Sequence, residues 1–309
     1  MDNSFETEIK GLRNFGNTCY FNSAIQLLMK LPTFDNNIES QDIVITLMKK
    51  VNDSYKYNDG SLEDNLRNLY IAVCREKGYP LGSQQDSCEF VQFILDKITD
   101  FTPYKNDVVI MMNQLLTCNG NGTDNEICNN PYKICQSQKE SILISNAIND
   151  AQNQNIEINF KTFLEHSLQI SKCELKDYKC NCDEPKHIVQ TVLTALPKYL
   201  FINVGRGFAF SQKKMNILTI ADNFKLSTPV NLKDLCENIN RNITEHIYKL
   251  HGIIIHYGAS LHSGHYMSYI KKNNKWHICN DDIVVELDNF SNKVVDVQRN
   301  TCVLLYIRE

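Results

Sequence analysis

No apolar run in these 309 residues approaches the 18 or so that a membrane-spanning helix needs. The stretch from Met1 to Lys10 is polar and acidic, with no apolar core, so no secretory signal is visible. Charge of one sign is also lacking. Against 36 Asp and Glu stand 32 Lys and Arg, a net charge of −4, which gives no electrostatic reason to expect nucleic acid. Internal repeats are absent. Twelve cysteines amount to only about 4% of the chain, below the density of secreted disulfide scaffolds. They read as reduced thiols, and the expected location is intracellular, cytoplasmic or nuclear. What is present is ordinary globular composition, 42% apolar and 22% charged, enough for a sizeable core.

The first third reads as helical. Phe21, Ala24, Ile25 and Leu28 recur at helical spacing until Pro32 stops the run. Similar periodicity covers Ile43–Val51 and Leu62–Val73, and a helix after Ser83 carries Phe90, Phe93, Ile94 and Ile98 on one stripe, with Asp86 in its first turn. From about 105 to 190 Asn, Gln and Cys dominate and Asn119 to Asn130 is loop-like. Glu140–Ile144, Ile156–Phe160 and Ile188–Leu193 are candidate strands. Beyond 195 the chain is β-rich, with strands expected at Tyr199–Val204, Leu250–His256, Tyr266–Ile270, Trp276–Cys279, Ile283–Leu287 and Val303–Ile307.

Two segments carry chemistry. Gly11-Leu12-Arg13-Asn14-Phe15-Gly16-Asn17-Thr18-Cys19-Tyr20-Phe21-Asn22-Ser23 puts a cysteine at a loop-to-helix junction. A thiol in the first turn of a helix meets unpaired N–H groups and the positive end of the dipole, which favour the thiolate nucleophile. Far downstream, His256-Tyr257-Gly258-Ala259-Ser260-Leu261-His262-Ser263-Gly264-His265-Tyr266 leads into Trp276-His277-Ile278-Cys279-Asn280-Asp281-Asp282. The loop Lys271–Lys275 suits an antiparallel hairpin. Centred on Asn273, that hairpin sets His265 opposite Asp281; a half-step shift sets it opposite Asn280. Either side chain would reach the imidazole.

Together these segments resemble the Cys box and His box of the ubiquitin-specific protease family, and Gln84-Gln85-Asp86-Ser87-Cys88-Glu89-Phe90 looks like that family's Gln-Gln-Asp-x-x-Glu-Phe helix start. The resemblance implies an α+β, papain-like cysteine protease with a helical thumb, extended β fingers and a β-rich palm. The expected division is a polar leader at 1–10, then one catalytic domain over 11–309: thumb to about 104, fingers about 105–195, palm from about 196. It further implies Cys19 as nucleophile, His265 as general base and acid, and Asn14 with the Cys19 N–H as oxyanion donors. Asn280 falls at the family's third triad position, with Asp281 as a supporting or substitute acceptor. Asp86 and Glu89 would meet the arginines and backbone of a Leu-Arg-Leu-Arg-Gly-Gly tail. Gly264 belongs to the loop that closes over it, Tyr266 resembles a tail-stacking aromatic, and His262 is a loop candidate for contact. The expected partners are ubiquitin and ubiquitinated proteins, with no nucleic acid or membrane, and the expected state is a monomer.

Two departures stand out. Cys88 replaces a histidine that many members carry, and Gly205-Arg206-Gly207 replaces a more usual Lys-Arg-Phe. Many relatives hold a structural zinc through paired Cys-x-x-Cys motifs. Here Cys180-Asn181-Cys182 is one residue short, and Cys118 with Cys128 or Cys135 makes no tight pair, so Cys118, Cys128, Cys180 and Cys182 are the candidate ligands of one structural zinc. The chemistry itself needs no cofactor. Alternative functions are a catalytically weak ubiquitin-binding module, a protease for a ubiquitin-like modifier or general peptide, or a zinc-organised structural protein.

Overall fold

The structure, a computed structural model, describes residues 8–35, 40–118, 132–145, 147–150, 156–168, 172–175, 187–206, 213–229, 243–260, 263–292 and 294–309. A helical layer comes first: α1 (Cys19–Leu28), α2 (Ile43–Tyr57), α3 (Leu62–Lys77), α4 (Ser87–Phe101) and the short α5 (Lys105–Val108). All residues of α1 are buried, polar ones included, so it is the central rod of this layer rather than a surface helix. Phe21 fixes it, its ring 5.0 Å from that of Phe90 on α4 and 5.8 Å from that of Tyr70 on α3. The ends follow local chemistry. Asp42 caps α2 by accepting from Val44 and Ile45 N–H, Gly78 closes α3 in the left-handed region, and Asp86 caps α4 by accepting from Cys88 N–H at 2.7 Å. Asp86 is thus the cap itself, one position outside the first turn.

Two sheets follow. β1 (Ile110–Cys118), β2 (Tyr132–Glu140), β4 (Lys172–Leu175) and β5 (His187–Ala195) form a four-stranded antiparallel sheet in the order β2-β1-β5-β4. The larger sheet has eight strands: β3 (Leu143–Ile144), β6 (Tyr199–Asn203), β7 (Asn223–Pro229), β8 (Ile243–Ser260), β9 (Ser263–Lys272), β10 (Lys275–Asn280), β11 (Ile283–Leu287) and β12 (Thr301–Arg308). Its order is β11-β10-β9-β8-β12-β6-β3, with β7 pairing β8. Short helices α6 (Ala147–Asp150), α7 (Phe160–Ser167) and α8 (Val295–Asn300) complete the described elements.

The centre of the large sheet is buried on both faces. Along β12, Val303 and Leu305 join the core shared with α1 to α4, while Leu304 and Tyr306 join a second core with Phe160, Phe163 and Tyr248. β6 divides likewise, Phe201 to one side and Leu200 and Ile202 to the other. Two-sided burial is why Cys302–Ile307 is an unbroken apolar run rather than an alternating one.

Three sequence expectations are corrected. Ile156–Phe160 is no strand: only Ile158 bridges, to Leu218, and Asn159 caps α7 by accepting from Lys161 N–H. Phe160, Phe163 and Leu164 then fall on one helical face. Glu140–Ile144 divides between the end of β2 and β3. The β9–β10 hairpin closes through two residues, Asn273 and Asn274, both at positive φ, so Lys272 pairs with Lys275. The register is therefore neither of the two derived from a turn centred on Asn273.

Because Phe21 anchors the buried rod, Phe21→Ala should lower stability by about 3–5 kcal/mol. Urea unfolding of the two proteins measures it, and a loss below about 1 kcal/mol would contradict the central packing of α1.

Candidate active site

Four chain segments meet at the start of α1. Gly16 and Asn17, both at positive φ, turn the chain into the helix. Asn14 accepts at Oδ1 from Gly16 N–H and Thr18 N–H at 2.9 and 3.1 Å, an Asx turn that sets the approach. Its other end donates from Nδ2 to Asp281 Oδ2 at 2.9 Å. Asn22, 2% exposed and one turn after Cys19, donates to Asp281 Oδ1 at 2.8 Å. Leu12 N–H donates to the Asp281 carbonyl at 2.7 Å. Gly11 lies so close to the following residue that a Cβ there would sit 2.0 Å from Asp282 O. Asp281 itself takes φ 51°, and that turn aims its carboxylate away from β10 towards α1.

On the facing sheet, His265 Nε2 lies 2.6 Å from Asn280 Oδ1. The register explains the choice between neighbours. Ile278 pairs with Tyr269, which puts Asn280 level with Met267, two residues along from His265 on the same face. That diagonal is within side-chain reach, whereas Asp281 belongs to the opposite face. An amide oxygen only accepts, so this bond puts the ring proton on Nε2 and leaves the Nδ1 lone pair free.

Cys19 is 3% exposed. Its sulfur lies against the Tyr266 backbone N–H, the residue after His265, and within reach of the Cys19 and Tyr20 N–H groups. These donors favour thiolate, but burial outweighs them and the Asp281 carboxylate adds to it, so the thiol is pushed above its ordinary value. The helix terminus favours thiolate, as its position in the sequence implies, but desolvation is the larger effect.

The remaining predicted residues fall as follows. Glu89 reaches Lys77 at 2.9 Å. Tyr266 is 1% exposed with its ring 4.3 Å from that of His256, so in this conformation it is wall rather than a stacking surface, a correction forced by burial. His256 is fully buried, and burial with Lys213 and His265 nearby lowers it to about 4, which keeps that ring neutral. Gly264 lines the surface beside His265. His262, Cys128, Cys180 and Cys182 lie outside the described residues. Cys118 ends β1 level with His187 of β5. The two departures are structural. Cys88 is buried with Sγ 3.6 Å from Cys302 O, and Arg206, 2% exposed, donates to the Thr301, Lys214 and Asn216 carbonyls, holding the start of β12. Sequence reasoning gave no role to Asn22 or Gln84, although both lie inside the quoted motifs.

A neutral thiol at rest has a pH signature. Alkylation of Cys19 in the free protein by an uncharged haloacetamide should climb with pH to an inflection above the roughly 8.5 of an open thiol. Mass spectrometry of the Cys19 peptide reads it, and an inflection near 6 would contradict the dominance of burial.

A family model described as ubiquitin carboxyl-terminal hydrolase matches residues 10–306. Among curated proteins, ubiquitin carboxyl-terminal hydrolase 25 of Arabidopsis thaliana is 26% identical over 303 residues, covering 89% of this chain and 44% of that protein. Ubiquitin carboxyl-terminal hydrolase 24 of Mus musculus is 24% identical over 333 residues, 93% of this chain and 12% of the relative. The chain thus spans less than half the length of these relatives. Among solved structures, the SAGA Ubp8/Sgf11/Sus1/Sgf73 DUB module bound to ubiquitin aldehyde aligns with a TM-score of 0.72 at 21% identity, covering all of this chain and 72% of that one. The same module bound to monoubiquitin aligns at 0.63 and 19% identity, covering all of this chain and 73% of its own. The fold is therefore the α+β, papain-like one shared with those structures, and with most of its length matched the chain belongs to the ubiquitin carboxyl-terminal hydrolase family.

Proposed function

We propose that this chain is a thiol isopeptidase that releases ubiquitin from conjugates or precursors by cutting after its terminal glycine. The observation that carries the reading is the His265–Asn280 bond, which in the neutral ring places the proton on Nε2 and makes Nδ1 the acceptor, on a strand whose next N–H meets the Cys19 sulfur. Among the described residues no helix is long and apolar enough to cross a membrane, and none of the chemistry proposed calls for one.

In this reading Cys19 Sγ attacks the glycine carbonyl carbon as its proton passes to His265 Nδ1. A thiol whose burial disfavours the thiolate gains from such a base. The developing oxyanion faces the Cys19 N–H, at the start of α1 where no intrahelical acceptor exists, and Asn14 Nδ2. One Asn14 amide hydrogen is held by Asp281, which orients the group and leaves the other to point at the oxyanion. His265 returns the proton to the departing lysine amine, the C–N bond breaks, and a thioester remains. Water then attacks it, giving a proton to His265, and the sulfur leaves and is reprotonated. In the same reading Asp86 and Glu89 would meet the tail, where an incoming arginine would compete with Lys77 for Glu89.

Ubiquitin carrying a C-terminal electrophile tests this. Wild type should form an adduct that Cys19→Ala does not. With a ubiquitin–fluorophore substrate, Asn14→Ala should lower kcat by about 10²–10³, the usual cost of one oxyanion donor. Asn280→Ala should lower kcat and Asn280→Asp should largely preserve it, since either oxygen holds the Nε2 tautomer. A folded wild-type protein that forms no adduct would sink the reading, and an adduct only with another Gly-Gly-ended modifier would replace ubiquitin as its substrate.

A further inference from the structure

One side chain joins the segment before α4 to the start of β9. Gln84 donates from Nε2 to the Gly264 carbonyl at 2.8 Å, and its Oε1 accepts the Gly264 N–H at 3.2 Å. This two-way exchange is what a residue makes with its partner across an antiparallel ladder. It is open to Gln84 because β10 stops short: its pairing with β9 ends at Cys279 opposite Ser268, so no described strand pairs with β9 on that side at Gly264. Gly264 holds φ +145°, and a Cβ there would meet Tyr257 O at 2.1 Å, so the position tolerates no side chain that would shield its backbone.

Gly264 precedes His265, and Gln84 lies two residues before the Asp86 cap. A side-chain carboxamide thus ties the segment before α4 to the start of β9, two residues before the Tyr266 N–H that meets the sulfur of Cys19, itself 3% exposed. Asn17 makes a parallel bridge, donating to Gly82 O at 2.9 Å. Both Gln84 bonds are exposed to solvent, where a protein hydrogen bond nets little, so an incoming peptide that remakes both can displace them at small cost.

We propose that Gln84 is a latch that controls entry to the site: its carboxamide stands in for the backbone of an extended peptide tail at the edge of β9, and the tail must displace it to reach Cys19. The identity of the tail rests on the isopeptidase reading above; the latch does not. The exchange also selects. A tail residue taking over from Gln84 must offer both an N–H and a carbonyl in extended conformation, so proline at that register would leave the Gly264 carbonyl unpaired.

The test compares wild type with Gln84→Ala, which removes both bonds, and Gln84→Glu, which keeps the size but has no proton for the Gly264 carbonyl. Gln84 is on a half-exposed loop, and melting curves confirm that each variant folds. Alkylation of Cys19 by chloroacetamide, followed on its own peptide, needs no ubiquitin. It should run about three- to tenfold faster in Gln84→Ala, the factor for losing one or two exposed hydrogen bonds. Gln84→Glu should change in the same direction, and Gln85→Ala, whose amide donates to Ser83, should not change. The ubiquitin electrophile should react faster with Gln84→Ala as well. Unchanged or slower alkylation in Gln84→Ala overturns the latch. So does faster alkylation with slower ubiquitin reaction, which would make Gln84 a substrate contact. If wild type never reacts with the ubiquitin electrophile while Gln84→Ala still speeds alkylation, the ubiquitin reading fails and the latch stands.

Discussion

The Asp281 carboxylate is the tie on which the site depends. One oxygen holds Asn14 in the segment before α1, the other holds Asn22 within α1, and the Asp281 carbonyl takes Leu12 N–H. The approach to α1 and α1 itself are thereby fixed to the turn that follows Asn280, more than 250 residues away in sequence. A carboxylate that accepts charge-assisted bonds from two amides in a partly buried position is hard to replace, because removing it strands both donors. Its charge also acts on the neighbouring sulfur, discouraging thiolate. One group therefore builds the geometry while raising the energy of the ion that the chemistry needs. The N–H groups around Cys19 outweigh that charge but not the burial of the sulfur.

That conflict separates what the sequence could disclose from what it could not. The cysteine at a loop-to-helix junction and the Gly-His pair were legible as motifs, since each is set by local chain chemistry. The choice of Asn280 over Asp281 was not legible from the hairpin, because register hangs on whether Lys271 and Lys275 belong to strand or turn. The Asn273-Asn274 pair, both able to adopt positive φ, was the missed signal for a two-residue turn. The protonation of Cys19 was illegible for a different reason. Dipole and N–H effects follow from position in a helix, but desolvation depends on everything packed around it, and no local pattern reports that.

Strand assignments fared best where burial is two-sided, as in β6 and β12. They failed at Ile156–Phe160, where a strand-like alternation of only five residues is cut short by the Asn159 cap. Similarly, Tyr266 looked like a surface for a ligand because it adjoins His265. Adjacent residues of a strand point to opposite faces, so a half-exposed His265 goes with a buried Tyr266.

The two-faced strands at the centre of the sheet have a consequence for how this molecule comes apart. β6, β8 and β12 supply side chains to both hydrophobic cores, so neither core has a boundary along which it could separate while the other persists. Melting of the helical half would strip one face of the sheet and expose its apolar residues, which makes a half-melted intermediate costly. Denaturation should accordingly be a single cooperative event, with the ties from Asp281 to Asn14 and Asn22 surviving until the whole body is lost.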